Sequence, residues 1–276
     1  MKHKPESNII DLANRRRSRD RRGAGRAEQL ALNRAQELIF RGWEVMDPIE
    51  RVEIAEEALA VSPLCADAWV MLAEDAAETL DQEIEYYKNA VEAGERALGE
   101  AFFEDEVGRF WGIPESRPYM RARAGLAHCL WDRGDHDVAI AHYYDLLRLN
   151  PSDSQAIRFL LVTSLILIGR HRETLELIDE NSEDDYTAVW AYSRALIGFR
   201  ERGDIKDTRE LRAFAIRVNR FVPAYISGAS RMPKYPPDYV NPGDKTEAVS
   251  YVYDNRQAWI DSPGSIDWLV LDDSIE

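Results

Sequence analysis

Residues 120–153 read MRARAGLAHCLWDRGDHDVAIAHYYDLLRLNPSD, a 34-residue unit that is partly repeated further along the chain. Leu126-Ala127 is matched 34 residues later by Leu160-Leu161. The unit also contains four residues with turn or packing character, namely Gly134, Ala139, Tyr143 and Pro151. Apolar residues recur at helical spacing on both sides of Gly134. The unit therefore predicts two antiparallel helices joined at Gly134, and its repetition predicts a stack of such pairs.

The order and spacing of these residues resemble the tetratricopeptide repeat. Ala127 and Ala139 are small enough to let the two helices approach closely, and Tyr143 is expected to pack against the next pair. Pro151 cannot extend the preceding helix, so the chain turns there into the next unit. The resemblance implies an all-α, TPR-like solenoid of helical hairpins, with about four to five helix pairs.

Other parts of the chain follow the same pattern less closely. Ser62-Pro63 precedes Leu72-Ala73 at the distance that separates Asn150-Pro151 from Leu160-Leu161. An insertion at about 99–118 carries several aromatic residues, which we expect to pack back onto the repeats. The predicted organisation is a flexible basic arm over residues 1–25, a repeat domain over 26–222 and a capping segment over 223–276.

The capping segment is rich in proline and aromatic residues. Repeat arrays need an atypical terminal unit to cover the last apolar face. We expect an irregular cap that contains one short helix at about 247–259. The aromatic residues predicted to pack in it are Tyr225, Tyr239, Trp259 and Trp268.

A more specific resemblance rests on three short motifs. These are the helix start after Asn150-Pro151, the exit formed by Asn219, Val222, Pro223 and Tyr225, and the terminal run 263–269, PGSIDWL. They resemble a group of bacterial tetratricopeptide proteins with a Pro- and Trp-containing C-terminal cap. The repeat portion is also similar to the ST7 (suppression of tumorigenicity) proteins. The resemblance implies no enzymatic activity, and the cysteine-rich zinc appendage of some members is absent from this sequence.

The charge of the chain is divided unevenly. The 35 Lys and Arg against 50 Asp and Glu give a net charge of −15. Residues 1–26 contain nine basic and three acidic residues, a net +6, so the remainder carries −21. A body this acidic repels nucleic acid and anionic membranes at long range.

The basic arm is the sharpest local charge feature. Its arginines are Arg15, Arg16, Arg17, Arg19, Arg21 and Arg22. Such a segment contacts phosphates or an acidic protein and orders on binding. No aromatic residue is interleaved, so base stacking is not indicated. The alternative is a solubilising tail, or one that lies on the acidic body.

No pattern in the sequence indicates catalysis. Cys65 and Cys129 form neither a disulfide framework nor a cysteine-based zinc site. His128, Asp132 and His136 lie near Cys129, but the helical phase turns Cys129 about 100° away from His128, which leaves too few metal ligands. Nucleophile-elbow, phosphate-loop and HExxH motifs are absent from the sequence. We therefore predict a protein that is not an enzyme and that has no cofactor and no metal.

The inner surface of the repeat stack is the predicted binding site. In this fold the first helix of each pair lines a concave groove, and helical phase places nine candidate residues there. These are Asp67, Val70, Glu74, Arg121, His128, Trp131, Asp132, Gln155 and Arg158. A peptide or helix is expected to bury apolar groups around Trp131 while Arg121 and Arg158 pair with acids. The alternative is that several of these residues stay solvated or contact the cap.

Two functions remain open at this point. The leading one is a cytoplasmic protein–protein interaction scaffold that binds a peptide or helix of a partner in the groove. The alternative is a nucleic-acid or ribonucleoprotein-associated factor that uses residues 1–26. The longest uncharged run, 159–169, is too short to span a bilayer, so no membrane association is predicted. Homo-oligomerisation is left open.

Overall fold

A computed structural model describes residues 24–181 and 186–271, and those residues contain no β-strand. The predicted all-α class is therefore confirmed. The chain divides into two compact units at Ile157 and Arg158. No helix among the described residues is long and apolar enough to cross a membrane. The predicted boundaries at 25/26 and 222/223 remain predictions.

The first unit is built from consecutive helical hairpins. Its described helices are α1 (Arg26–Gly42), α2 (Pro48–Val61), α3 (Ala66–Asp75), α4 (Leu80–Leu98), α5 (Glu100–Asp105), α6 (Arg117–Arg133) and α7 (His136–Leu149). The pairs α1/α2, α3/α4 and α6/α7 each pack together, and α4 packs extensively on α6. Helices α1 and α6 both contact α3, so the first helices of the three pairs are neighbours.

Local sequence rules account for several helix ends in this unit. The Asp47 carboxylate accepts a hydrogen bond from the Ile49 N–H at 3.0 Å, and Pro48 follows at the first helical position of α2. Thr79 caps α4 by accepting from the Gln82 N–H at 3.3 Å. Gly134 ends α6 with a φ of 92°, a left-handed conformation that favours glycine. The turn predicted at Gly134 is therefore confirmed.

Small residues allow the helices of the first unit to approach one another. Ala127 and Ala139 are both fully buried, as their predicted role requires. The tightest approach, however, is between α4 and α6. A Cβ added at Gly125 would lie 2.2 Å from the Tyr87 ring, and one at Gly94 would lie 2.9 Å from the Tyr119 Cβ. These two glycines set the α4–α6 distance.

Replacing Gly125 with alanine is expected to lower the free energy of unfolding by about 1–3 kcal/mol. Overpacking against Tyr87 outweighs the roughly 1 kcal/mol that alanine gains in helix propensity. Urea unfolding measures the difference. Gly112→Ala is the control, because a Cβ there meets nothing within 4 Å. A Gly125→Ala protein as stable as the parent would contradict the close approach.

The inserted aromatic residues pack back onto the repeats, as expected. Phe110 lies in a short 3-10 turn, Phe110–Gly112, and is fully buried. Its ring centroid is 5.2 Å from that of Phe102 and 5.1 Å from that of Phe103. The Phe103 ring also contacts Tyr119 of α6 at 4.9 Å. The insertion is therefore anchored by an aromatic cluster against the start of α6.

The second unit is also helical. Helix α8 (Ile157–Leu167) begins at the last residue of the first unit, and the described helices that follow are α9 (His171–Glu180), α10 (Ala188–Arg202), α11 (Lys206–Val218), α12 (Val222–Ile226), α13 (Lys245–Ile260) and α14 (Ser265–Val270). Helices α10 and α11 form a hairpin, and both α13 and α14 contact α10. The short helix predicted in the cap is α13, which is longer than expected.

The cap uses two of the predicted aromatic residues as core. Trp259 is fully buried, and its Nε1 donates to the Tyr251 hydroxyl at 2.8 Å. Trp268 stacks on Phe199 with ring centroids 4.7 Å apart. Tyr239 is 71% exposed, so the prediction that it packs in the cap was wrong. It lies in the irregular Pro-rich loop before α13, where no described element covers it.

A buried polar network joins the cap to α10. Asn219 donates to Glu247 Oε2 at 2.8 Å, and its backbone carbonyl accepts from the Tyr192 hydroxyl at 2.6 Å. The Glu247 carboxylate also accepts from the backbone N–H groups of Ala188, at 2.8 Å, and Gly243, at 2.7 Å. Glu247 thus supplies an acceptor at the start of α10, where the N–H groups have no partner within the helix. Asn219 of the exit motif thus links Glu247 to Tyr192 of α10.

Candidate partner-binding site

A buried ion pair lies where the first helices of the three pairs meet. Asp67, in the first turn of α3, is fully buried. Arg121 of α6 donates from Nε to Oδ1 at 2.9 Å and from Nη2 to Oδ2 at 2.5 Å. Gln36 of α1 donates to the same Oδ2 at 2.8 Å. The Arg121 guanidinium also lies over the Trp43 ring, 5.0 Å from its centroid. These contacts hold Arg121 in one orientation.

Burial changes the role of two predicted groove residues. Asp67 is 0% exposed and Val70 is 4% exposed. A side chain without accessible surface cannot touch a partner, so direct contact by Asp67 is corrected to positioning of Arg121. Val70 of α3 is likewise too buried to contact a partner, and its side chain is part of the hydrophobic core.

Glu74 remains on the surface but has partners of its own. Its Oε2 lies 3.2 Å from Arg51 Nη2, and Arg51 Nε lies 2.9 Å from Asp75 Oδ2. Partial burial raises the pKa of the Glu74 carboxyl above its ordinary value, and the charge of Arg51 opposes that shift. Glu74 is therefore accessible, but a partner would compete with Arg51 for it.

The C-terminal part of α6 carries three further accessible members of the predicted set, His128, Trp131 and Asp132. His128 Nε2 and Asp132 Oδ2 are 3.7 Å apart, and both side chains are more than half exposed. Trp131 is half-buried and stacks on His136 with ring centroids 4.2 Å apart. Cys129 is buried and faces away from them. Within the described ranges, no group of three or more His, Cys, Asp or Glu residues is placed to hold a metal ion.

The remaining predicted residues are Gln155, Arg158 and the arginines of the basic arm. Gln155 donates from Nε2 to the Met120 carbonyl at 3.2 Å, within the first unit. Arg158 is the first residue of the second unit and is half-buried. The arginines of the basic arm lie outside the described residues; they are Arg15, Arg16, Arg17, Arg19, Arg21 and Arg22. The roles predicted for all of these residues remain predictions.

A cavity of about 290 Å³ opens beside Arg121. It lies among α1, the end of α4, a 3-10 turn at Pro114–Ser116 and the start of α6, and its wall is mainly apolar with amide and charged groups. The lining residues are Gln29, Leu32, Asn33, Gln36, Phe40, Leu64, Ala66, Gly94, Ala97, Pro114, Glu115, Arg117, Pro118, Tyr119 and Arg121. An apolar cavity with a few convergent polar groups is the usual form of a binding site.

The sequence analysis missed this cavity because it placed the apolar anchor at Trp131. One signal was available in α1, where Gln29, Leu32, Gln36 and Phe40 recur at helical spacing on one face. Phe40 is 55% exposed although it is a large apolar residue. The other walls come from helices distant in sequence, which no local pattern could have joined.

Two groups at the cavity, the Tyr119 hydroxyl and the neighbouring Cys65 thiol, remain protonated at neutral pH. Burial raises the pKa of the Tyr119 hydroxyl to about 12, and that hydroxyl accepts a hydrogen bond from Arg123 Nη1 at 2.5 Å. Burial also raises the pKa of the Cys65 thiol to about 12. A reactive cysteine needs a lowered pKa, so Cys65 is not an activated nucleophile. The arrangement can bind, but these two groups supply no base or nucleophile.

Comparison with known proteins agrees with the resemblance drawn from the sequence. The family model described as ST7 protein matches residues 18–106. A Caenorhabditis elegans protein named Protein ST7 homolog is 24% identical over 271 residues, covering 85% of this chain and 50% of that protein. A Gallus gallus protein named Suppressor of tumorigenicity 7 protein-like is 23% identical over 257 residues, covering 83% of this chain and 45% of that protein. The predicted similarity to ST7 proteins is confirmed.

A solved structure also resembles this chain. It is YrrB, described as a TPR protein with an unusual peptide-binding site. The match has a TM-score of 0.48 and 16% sequence identity, and covers 68% of this chain and 84% of YrrB. This similarity is too low to bear on function.

The chain spans about half the length of the ST7 relatives it matches. The activities and partners of the whole relatives therefore do not transfer to it directly.

Proposed function

We propose that this chain is a non-enzymatic scaffold that binds a peptide or helix of a protein partner on the face formed by α1, α3 and α6. The observation that carries this proposal is the apolar cavity beside the immobilised Arg121. We place the scaffold in the cytoplasm. The nucleic-acid alternative rests on arginines outside the described residues, and no described contact favours it.

The cavity provides the main source of binding energy. Full burial of one large apolar side chain contributes about 1.5–3 kcal/mol, and a volume near 290 Å³ accommodates one such side chain. Phe40 at its edge gains burial when a partner covers it. Because Arg121 is already held by Asp67 and Trp43, it loses little conformational freedom on binding.

Polar groups around the cavity are suited to orient a peptide backbone. Gln29 donates from Nε2 to Asn33 Oδ1 at 3.0 Å, which leaves donors and acceptors on both amides for a ligand. Arg121 uses Nε and Nη2 for Asp67, and its Nη1 makes no hydrogen bond to any residue that the structure describes. The exposed His128 and Asp132, with Trp131 beside them, would extend the contact surface along α6.

Replacing Phe40 with glutamate is expected to weaken peptide binding at least 10-fold, because a charge would replace an apolar wall of the cavity. Peptides are first selected from a displayed random library on the full chain, and their affinity is then measured by fluorescence anisotropy. Leu30→Glu is the matched control, since Leu30 is 58% exposed on the same helix and does not line the cavity.

Two results would contradict the proposal. One is a selection that yields no binding peptide. The other is a set of peptides whose affinity responds equally to the Phe40 and Leu30 changes. A protein lacking residues 1–23 should keep its peptide affinity, since the cavity lies wholly in described residues.

A further inference from the structure

We infer that the cavity binds a partner segment in which a large apolar side chain is closely followed by an aspartate or glutamate, and that Arg117 binds this carboxylate. The inference rests on the proposed function and specifies the chemistry of its ligand. It concerns Arg117, a residue that sequence analysis did not select.

Arg117 is held in place by one residue of the insertion. Its Nε donates to the Trp111 carbonyl at 2.9 Å, and its guanidinium lies 5.6 Å from the centroid of the Trp111 ring. The terminal nitrogens are left for other partners. A guanidinium fixed in this way is preorganised to donate two parallel hydrogen bonds to a carboxylate.

Among the described residues, no carboxylate pairs with the charge of Arg117. Across residues 24–181 and 186–271, no acidic side chain lies within 4.0 Å of its guanidinium. Two other arginines of α6 differ in this respect, because Arg121 pairs with Asp67 and Arg123 pairs with Asp145. Arg117 is thus a cation in a largely apolar cavity lining, and it forms no ion pair with the residues that the structure describes.

The other charges around the cavity favour an acidic rather than a basic ligand. Asp67 is buried and already satisfied by Arg121 and Gln36, so it offers nothing to a cation. Glu115 lines the cavity but is exposed to solvent, which screens it. A lysine of a partner would face two guanidinium groups, whereas a carboxylate would meet donors.

The size of the cavity sets the spacing in the ligand. Its volume admits one large side chain, and Arg117 lies in the same wall as the apolar residues. An extended chain advances roughly 3.3 Å per residue. Successive side chains of an extended chain point to opposite faces, so a carboxylate on the same side as the apolar residue comes from the second residue after it.

Four pools of terminally blocked octapeptides test the inference, with the full chain as receptor and anisotropy as the readout. The two fixed residues, placed two positions apart, are Phe–Glu, Phe–Gln, Phe–Lys or Ala–Glu, and the other positions are randomised. We expect Phe–Glu to bind about 10-fold more tightly than Phe–Gln, which corresponds to one charge-assisted hydrogen-bonded pair. Phe–Lys and Ala–Glu should bind more weakly than Phe–Glu.

Changes at Arg117 assign the preference to this residue. Arg117→Gln should abolish the difference between Phe–Glu and Phe–Gln, and Arg117→Lys should retain part of it. Arg148→Gln is the control for the loss of one positive charge, because Arg148 lies on α7 outside the cavity lining and is 54% exposed. Circular dichroism and urea unfolding confirm that each variant is folded.

The outcomes separate the inference from the proposed function. Equal binding of Phe–Glu and Phe–Gln, or a preference that survives Arg117→Gln, overturns the inference and leaves the scaffold proposal standing. If none of the four pools binds while library-selected peptides still bind, the inference is again overturned and the scaffold proposal again stands. Failure of the pools and of the library selection together overturns both.

Discussion

Replacing Arg121 with methionine is expected to lower the free energy of unfolding of the first unit by about 3–5 kcal/mol. The change leaves the fully buried Asp67 carboxylate with Gln36 as its remaining donor. Removing one partner of a buried ion pair is costly because the other charge stays out of water without compensation. Methionine retains much of the side-chain volume, so loss of packing is a smaller part of the effect.

The effect should be confined to the helices that the pair connects. Hydrogen exchange of peptides from α1, α3 and α6 should accelerate strongly, while α10 and α13 of the second unit stay protected. Asp67→Asn should lower the free energy of unfolding by less, because the Arg121 side chain is 31% exposed and its guanidinium can be hydrated. In the Arg121→Met background, Asp67→Asn should restore stability, since the uncompensated charge is gone. This account would be contradicted if the free energy of unfolding of Arg121→Met were less than about 1 kcal/mol below that of the parent.

Replacing Glu247 with glutamine is expected to destabilise the second unit by about 3 kcal/mol, the second largest effect. The Glu247 carboxylate accepts hydrogen bonds from the Ala188 and Gly243 N–H groups and from the Asn219 side chain. Glutamine has the same shape, but its NH₂ group would face a donor. Each hydrogen bond to a charged acceptor contributes roughly 1.5–3 kcal/mol, and the three are not additive.

Hydrogen exchange of α10 and α13 measures the local effect, and urea unfolding measures the total. Glu210→Gln is a suitable control, because it makes the same chemical change at a side chain that is 70% exposed. We expect the control to change stability by less than about 0.5 kcal/mol. Unchanged protection of α10 in Glu247→Gln would show that the Ala188 N–H does not depend on this carboxylate.

Candidate site residues were harder to predict than helices. Helical phase placed both Asp67 and Arg121 on the inner face, yet it indicated neither that they form an ion pair nor that Asp67 is buried. The two residues are separated by 54 positions, and the inserted segment lies between them. Phase gives the direction of a side chain from its own helix, but burial depends on which other helices cover it.

The class of fold could be predicted from the sequence, because it follows from contacts within one helix or between a helix and its neighbour in the chain. Gly134 ends α6 in a left-handed conformation, and Ala127 and Ala139 are small where helices meet. Such rules act over a few residues, so they can be read from the chain directly.

The position of the cavity, in contrast, depends on tertiary packing. The cavity joins Phe40 of α1, Ala97 of α4 and Arg117 of α6, which no local rule connects. The aromatic cluster of the insertion sets the start of α6, and with it the position of Arg117. A binding site depends on the relative placement of several helices, and that placement results from packing summed over the whole unit.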